Sequence, residues 1–426
     1  MTAEFPNDFV RLHLAGRLAQ QHARDDTQEL ERLQAVVSIA GRLISKTPAA
    51  DLSLGTVQDA SGRIEVLVSD EAAGKAAHAE FAHWQLGDIV GAAGILCRLP
   101  SGALALRAHE LRRLVKVARV LPGSCAERTR RIADVRWRLL KRMRSLLSQA
   151  AYIEVETPLL HVTAAAAPRQ FRTHHNALDC ELYLRSSSDL HLERLLIGGM
   201  EKVYEVNRSF LNGERDALCE ETAMEIYCAY ANHSYMSALL EGVLTVATRE
   251  TEGGWALSGE GGITALAAPF ERITVSAAIA RELGGRLDES ALRDADKLRQ
   301  LLAAGGEPPS HEDWPLLQLR LFEKLVAPQL VAPTFVTGFP VALCRRTRSE
   351  PADPLVAEHF KLYAGGWRIA EGGSVLNDPE AAEQPDFRLA LEYGLPPCAS
   401  VRMSIDRLTL TLIGGRAPTD SVLFPS

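Results

Sequence analysis

EKVYEVNRSFL at 201–211 and AMEIYCAYA at 223–231 are the runs on which the reading of this chain turns. Branched and aromatic residues dominate both, and both read as strands. Working outward, YLRS (183–186) precedes them, and PTFVTGFPVAL (333–343), HFKLYAGG (359–366) and ASVRMSIDRL (399–408) follow, with helices between. Strand and helix alternate without repeats or low-complexity tracts, which predicts one large α+β domain running to the C-terminus. Residues 250–330 read as mostly helical or loop-like and carry no evident chemistry.

Ahead of this domain the texture changes. Residues 10–34, with Leu12, Leu14, Leu18, Leu30 and Leu33 set among charges, predict a helix. From Val36 short β-type runs follow, separated by turn residues at Pro48, Asp59–Gly62, Gly87–Asp88 and Pro100–Gly102. Five such runs, with a helical patch at 71–83 between the third and fourth, predict a small barrel of the oligonucleotide-binding type. LPGSCAER (121–128) reads as a linker. An amphipathic helix over about 128–150 then places Ile132, Val135, Leu139, Met143 and Leu146 on one face. The expected boundaries are a helical segment at 1–34, the barrel at 35–120, a linker at 121–127 and the α+β domain at 128–426. The helix's other face carries Arg128, Arg130, Arg131, Arg136, Arg138, Lys141, Arg142 and Arg144. It suits either a phosphate backbone or a solvated or dimer-facing surface.

A length of 426 residues exceeds a single core. With 46% apolar and 24% charged residues, the chain is neither disordered nor fibrous. Its net charge of -7 gives no general attraction to nucleic acid or membrane. No apolar run approaches the roughly 18–20 residues of a bilayer span, and the N-terminus lacks a secretory apolar core. A cytoplasmic protein is expected, with no membrane partner. Seven cysteines without C-x-x-C spacing argue for reduced thiols. His174–His175 lack further ligands nearby, so no metal site is expected.

Several blocks together resemble class II lysyl-tRNA synthetases. They are FPNDF (5–9), GRIEVLVSD (62–70) with HWQLGDIVGAAGIL (83–96), YIEVETPLL (152–160), FRTHHNALDCELYLRSSSDLHLERLLIGGMEKVYEVNRSF (171–210), MEIYCAYANHSYM (224–236) and LEYGLPPCASVRMSIDRLTLTLIGG (391–415). Their order and spacing hold over essentially the full chain. The resemblance implies an α+β protein with an N-terminal five-stranded oligonucleotide-binding β-barrel and a class II antiparallel-sheet catalytic domain, assembled as a homodimer. It also implies that lysine is joined to ATP and passed to the tRNA 3′ end.

Adenylate formation brings a carboxylate against a triphosphate. It calls for a cation on the α-phosphate, Mg²⁺ on the outer phosphates and a flat seat for adenine. The resemblance locates these parts on positions that this chain has changed. Leu211 stands where the family's phosphate-bridging Arg falls, and Glu214 and Arg215 follow out of register. The adenine-stacking Phe becomes Glu221. Lys361 and Arg368 occupy the two Mg²⁺-binding Glu positions, and cations cannot supply oxygen ligands. Arg402 replaces a Gly in the nucleotide site. Glu225, Asp406 and the adenine-stacking Arg407 are kept as the catalytic set, with Tyr227 kept in the substrate pocket. The ε-ammonium-sensing Glu becomes Val375, its neighbours become Glu371 and Gly373, another pocket Glu becomes Asp189, and the α-amino-binding Gly-Gly turn becomes Ala164–Ala165. In the barrel, the base-stacking position is Leu54, and Glu110 is kept where the family contacts the anticodon.

Carboxylates have thus become cations, while an aromatic and an amide have become carboxylates. One expectation is internal neutralisation among Glu221, Glu225, Glu371, Lys361, Arg368 and Arg402. Others are a cationic clamp that replaces Mg²⁺, or unselected drift. Three functions compete. The first is a dimeric binding or regulatory paralogue that no longer makes lysyl-adenylate. The second is an ATP-dependent ligase with another substrate. The third is an active lysine–tRNA ligase. ATP and Mg²⁺ are expected as cofactors only if the family activity survives, and tRNA or another RNA is expected as a partner through the barrel.

Overall fold

Five strands closed into a ring and an open sheet of eight carry the chain. The computed structural model describes residues 7–119, 123–163, 170–213, 218–249, 256–259, 262–285, 288–306, 308 and 311–424. The chain divides into two units at Arg130/Arg131. Among the described residues no helix is long and apolar enough to cross a membrane.

In the first unit, the helix expected over 10–34 is two short ones, α1 (Ala15–Gln21) and α2 (Thr27–Leu33). The break has a local cause. The Asp26 carboxylate accepts the Glu29 N–H at 2.8 Å, so a new helix starts there. Residues before α1 are extended, and the Leu12 and His13 N–H groups donate to the Ser38 carbonyl. The barrel comprises β1 (Val36–Thr47), β2 (Leu52–Gln58), β3 (Arg63–Ser69), β4 (Ile89–Arg98) and β5 (Leu104–Val115), closed in the order β1-β2-β3-β5-β4. Helices α3 (Asp70–Ala73) and α4 (Lys75–His83) fill the expected helical patch. Val37, Ile39, Val57, Ile64, Val66 and Phe81 form its core. Gly55 is required there, because a Cβ would lie 2.8 Å from the Phe81 ring.

The second unit is entered through α5 (Gly123–Gln149), which begins inside the segment read as a linker. Ile132, Leu139, Met143 and Leu147 are its buried face. Next come β6 (Ile153–Glu154), β7 (Leu160–His161), β8 (Arg172–His175), β9 (Cys180–Leu184), α6 (Asp189–Ile197), β10 (Lys202–Phe210), β11 (Glu220–Ala229) and α7 (His233–Arg249). After these lie β12 (Ala256–Gly259), β13 (Gly262–Ala265), β14 (Glu271–Thr274), α8 (Val275–Glu282), α9 (Ala295–Ala304) and α10 (Trp314–Leu325). The chain closes with β15 (Thr334–Thr337), β16 (His359–Ala364), β17 (Trp367–Ser374), α11 (Pro385–Glu392), β18 (Cys398–Ser404) and α12 (Ile405–Ile413). The main sheet runs β14-β15-β16-β17-β18-β11-β10-β6. Its two outermost pairings are parallel and the rest antiparallel. Strands β12, β13 and β14 lie in the stretch read as helix or loop; at four residues each they are too short to show a period.

Strand alternation sorts the two faces. Met224, Ile226, Val401, Met403, Phe360 and Leu362 pack with α5, α7 and α12 in one core. The intervening positions face the other way, and register lines five of them across the sheet: Glu205, Glu225, Arg402, Glu371 and Lys361. Glu205 and Glu225 are fully buried, and Lys361 nearly so. Glu205 is answered by Arg185 at 3.1 Å and by the Thr157 N–H and hydroxyl. Glu225 is answered by Arg402 and by the Ser188 hydroxyl. Removing one partner of such a buried pair strands the other, at a cost of roughly 3–5 kcal/mol. R402M is therefore expected to lower stability by about that amount in urea unfolding, and E225Q/R402M to regain most of it. An unchanged midpoint in R402M would remove the pair's structural weight.

Candidate functional site

The charged row opens into two cavities on the site face of the sheet. The smaller, of about 50 Å³, is bounded by Glu221, Arg368, Glu371, Arg402, Ser404 and Arg407. That is room for a few waters between the charged side chains. Arg402 sits on β18 directly opposite Glu225 on β11 and Glu371 on β17. It pairs with Glu225 and reaches Glu221 at 3.1 Å. Burial works against its charge, but Glu225 and Glu221 outweigh burial and hold the guanidinium protonated. Arg368 donates to Glu371 at 3.1 Å. Burial would raise the Glu371 carboxyl, yet Arg368, Lys361, His359 and Arg402 together pull it below its ordinary value. Five of the six groups expected to neutralise one another are therefore joined directly. The sixth, Lys361, is Glu371's register partner, and its Nζ lies 4.5 Å above the Phe339 ring. Burial, reinforced by Arg368, lowers its pKa.

Arg407 donates to the Arg368 carbonyl at 3.2 Å and lies 4.0 Å from Glu221. Asp406 has both oxygens engaged. One accepts the Thr222 N–H at 2.7 Å and the other pairs with Arg136. Arg136, read on the outer basic face of its helix, thus turns inward to tie α5, β11 and α12 together. Leu211 is exposed just beyond β10 and brings no charge to the cluster. Glu214, Arg215 and Ala164–Ala165 lie outside the described residues.

The second cavity, of about 150 Å³, is lined by Asp189, Glu225, Tyr227, Glu371, Gly373 and Val375, among others. Tyr227 donates to Asp189 at 3.0 Å. Burial, with Asp189 and Glu193 close by, keeps the phenol protonated. Val375 is buried among Leu192, Val203 and Tyr227 as an apolar floor. Sequence reasoning missed three groups here: Glu193, Arg346 and His359. Glu193 had a signal, since it lies four residues after Asp189 on one helix face. Arg346 had none, because it sits outside any regular element. In the barrel, Leu54 is half-buried against Leu67, Cys97 and Ala105, and Glu110 is exposed on β5.

The acidic positions do not suit magnesium. Lys361 and Arg368 present nitrogen cations, Arg368 occupies Glu371, and Arg402 occupies both Glu225 and Glu221. Among the described residues no three His, Cys, Asp or Glu side chains gather as a metal ion would require.

His359 is half-buried, and its Nδ1 has no hydrogen-bond partner among the described residues. Burial lowers its pKa to about 4; Lys361, Arg368 and His233 add to the shift and Glu371 opposes it. In the unfolded chain the ring titrates near 6.5. Protonation therefore favours unfolding, and the stabilising contribution is complete above about pH 6.5 and lost as pH falls towards 4. After discounting for partial exposure, H359Q is expected to remove about 2 kcal/mol of the stability loss across that window. Urea midpoints at several pH values measure it, and identical profiles for the two proteins would refute it.

The family described as tRNA synthetases class II (D, K and N) matches residues 117–426. A lysine–tRNA ligase of Azoarcus sp. (strain BH72) is 35% identical, covering 99% of this chain and 92% of the relative. Lysine–tRNA ligases of Nitrosomonas europaea and Aromatoleum aromaticum are each 36% identical, over the same shares of both chains. With the barrel, the antiparallel sheet and the motif residues in these places, the chain belongs to the class II tRNA synthetases and, within them, to the lysyl-tRNA synthetase family.

Proposed function

We propose that this protein is a degenerate paralogue of lysyl-tRNA synthetase that does not form lysyl-adenylate and acts as a dimeric, cytoplasmic binding or regulatory protein. The observation that carries the reading is the commitment of Arg402 to Glu225 and Glu221. A triphosphate entering here meets carboxylates whose counter-charges are already taken, and it gains no metal to bridge them. Leu211 brings no replacement cation from β10. The barrel leaves RNA as a candidate partner, with Leu54 in place of a stacking aromatic, a change worth about 1–3 kcal/mol per base.

A second reading, an ATP-dependent ligase with a changed substrate, draws support from the open cavity lined by Tyr227 and Glu225 and from Arg407 beside the smaller one, three residues that the resemblance counts as kept. It requires a phosphate-directed cation from a residue not yet committed.

Amino-acid-dependent ATP–pyrophosphate exchange on the purified protein decides between them. No exchange is expected with lysine or with any other amino acid of a full panel. Exchange with lysine would overturn the proposal and establish a working ligase. Exchange with another amino acid would establish the second reading.

A further inference from the structure

The cluster on the α6 side of the larger charged cavity has the composition of a ligand site. Asp189 and Glu193 lie one turn apart on α6 and present two carboxylates on one helix face. Glu193 is 1% exposed. Tyr227 fixes Asp189 by a hydrogen bond of 3.0 Å. The Phe387 ring supplies an aromatic face. Two acids, an orienting phenol and an aromatic plane are the elements with which proteins recognise guanidinium and ammonium groups.

The cation in this seat comes from the chain itself. Arg346 donates to Glu193 through Nη2, lies 3.8 Å from Asp189 through Nη1, and has its guanidinium 4.2 Å from the Phe387 ring centroid. Its backbone is held in place: the Arg346 carbonyl accepts the Leu376 N–H at 2.8 Å, and Thr347 bridges to Val375. Arg346 is not sealed in a core. Its side chain keeps 28% exposure, and it lines both this cavity and a neighbouring one of about 590 Å³. A small solute therefore has a route to the seat from either side.

We propose that Asp189, Glu193, Tyr227 and Phe387 form a binding site for a guanidinium or ammonium ligand that Arg346 occupies as a built-in ligand, closing the pocket to external cations. The inference rests on the preceding reading only for the identity of this cavity as the small-molecule site. It adds a specificity-determining residue: with Arg346 in place Glu193 is matched and the seat beside the Phe387 ring is filled, and with Arg346 withdrawn both acids face an empty seat.

The test is chemical rescue of R346A with millimolar methylguanidinium and n-butylammonium, without ATP. Calorimetry is expected to show either probe binding R346A at least ~10-fold more tightly than the unaltered protein, with a matching rise in its thermal midpoint. E193Q/R346A, which carries no stranded Glu193 charge, is expected to fold without a probe and to bind no more tightly than the unaltered protein. If R346A folds only when a probe is present, the proposal stands. Equal affinity in R346A and the unaltered protein overturns it. So does an R346A protein that stays unfolded with either probe, or equal rescue of the double variant. Because no ATP is present, a failure here is read separately from the exchange assay.

Discussion

Charges buried side by side on one face of a sheet must be matched along the row. Glu205, Glu225, Arg402, Glu371 and Lys361 are cross-strand neighbours over five strands, and each is answered by a neighbour or by a residue reaching in from outside the row. In an antiparallel sheet this requirement and strand register are one constraint. A slip of one residue in β18 would bring Val401 or Met403 to face Glu225 and turn Arg402 into the helix-packed core. Buried pairs add little stability over well-packed apolar residues. What this row supplies is a single permitted alignment of the strands that carry the pocket.

The same matching limits the chemistry. A phosphate seated on Arg402 must release Glu225 and Glu221, and the freed Glu225 would then stand fully buried beside Asp189, which already disfavours its charge. The alternatives are no freer. Arg368 is held by Glu371, Arg346 by Glu193, and Arg136 by Asp406. Arg407 keeps the loosest acidic contact of these, 4.0 Å from Glu221, beside a cavity of about 50 Å³. Arg368 and Arg402 are each held by carboxylates, while Lys361 rests over the Phe339 ring beside the Arg368–Glu371 pair, so most of the charge gained by replacing family acids with bases is already matched.

Much of the fold was legible because regular elements repeat their signal. The five barrel strands declared themselves through short β-type runs and turn residues, and the sheet strands through EKVYEVNRSFL and AMEIYCAYA. The single helix over 10–34 was misread because no Pro or strong turn residue marks the break, which a capping residue, Asp26, sets. Arg136 was placed on the outer face because periodicity gives a residue's angle around α5 but not the reach of a long side chain to Asp406. In the site, the changed residues could be named one by one from the resemblance. The pairing of Arg402 with Glu225 and Glu221 depends on register between strands more than 170 positions apart, since Glu225 and Arg402 are separated by 177 residues. No local pattern encodes that.

Arg402 and Arg346 differ in how they came to be held. Arg402 is fixed by a strand, so its position follows once β11, β17 and β18 are aligned. Arg346 lies in the irregular run between β15 and β16, whose course is set by backbone bonds to the chain just after β17. A strand residue inside a sheet cannot leave its partners without breaking a ladder, whereas a residue on an irregular run can move when a few bonds yield. The two guanidiniums therefore close the pocket with unequal permanence. The side built on Arg402 is part of the sheet. The side built on Arg346 is the one that a ligand, a partner or a substitution can open.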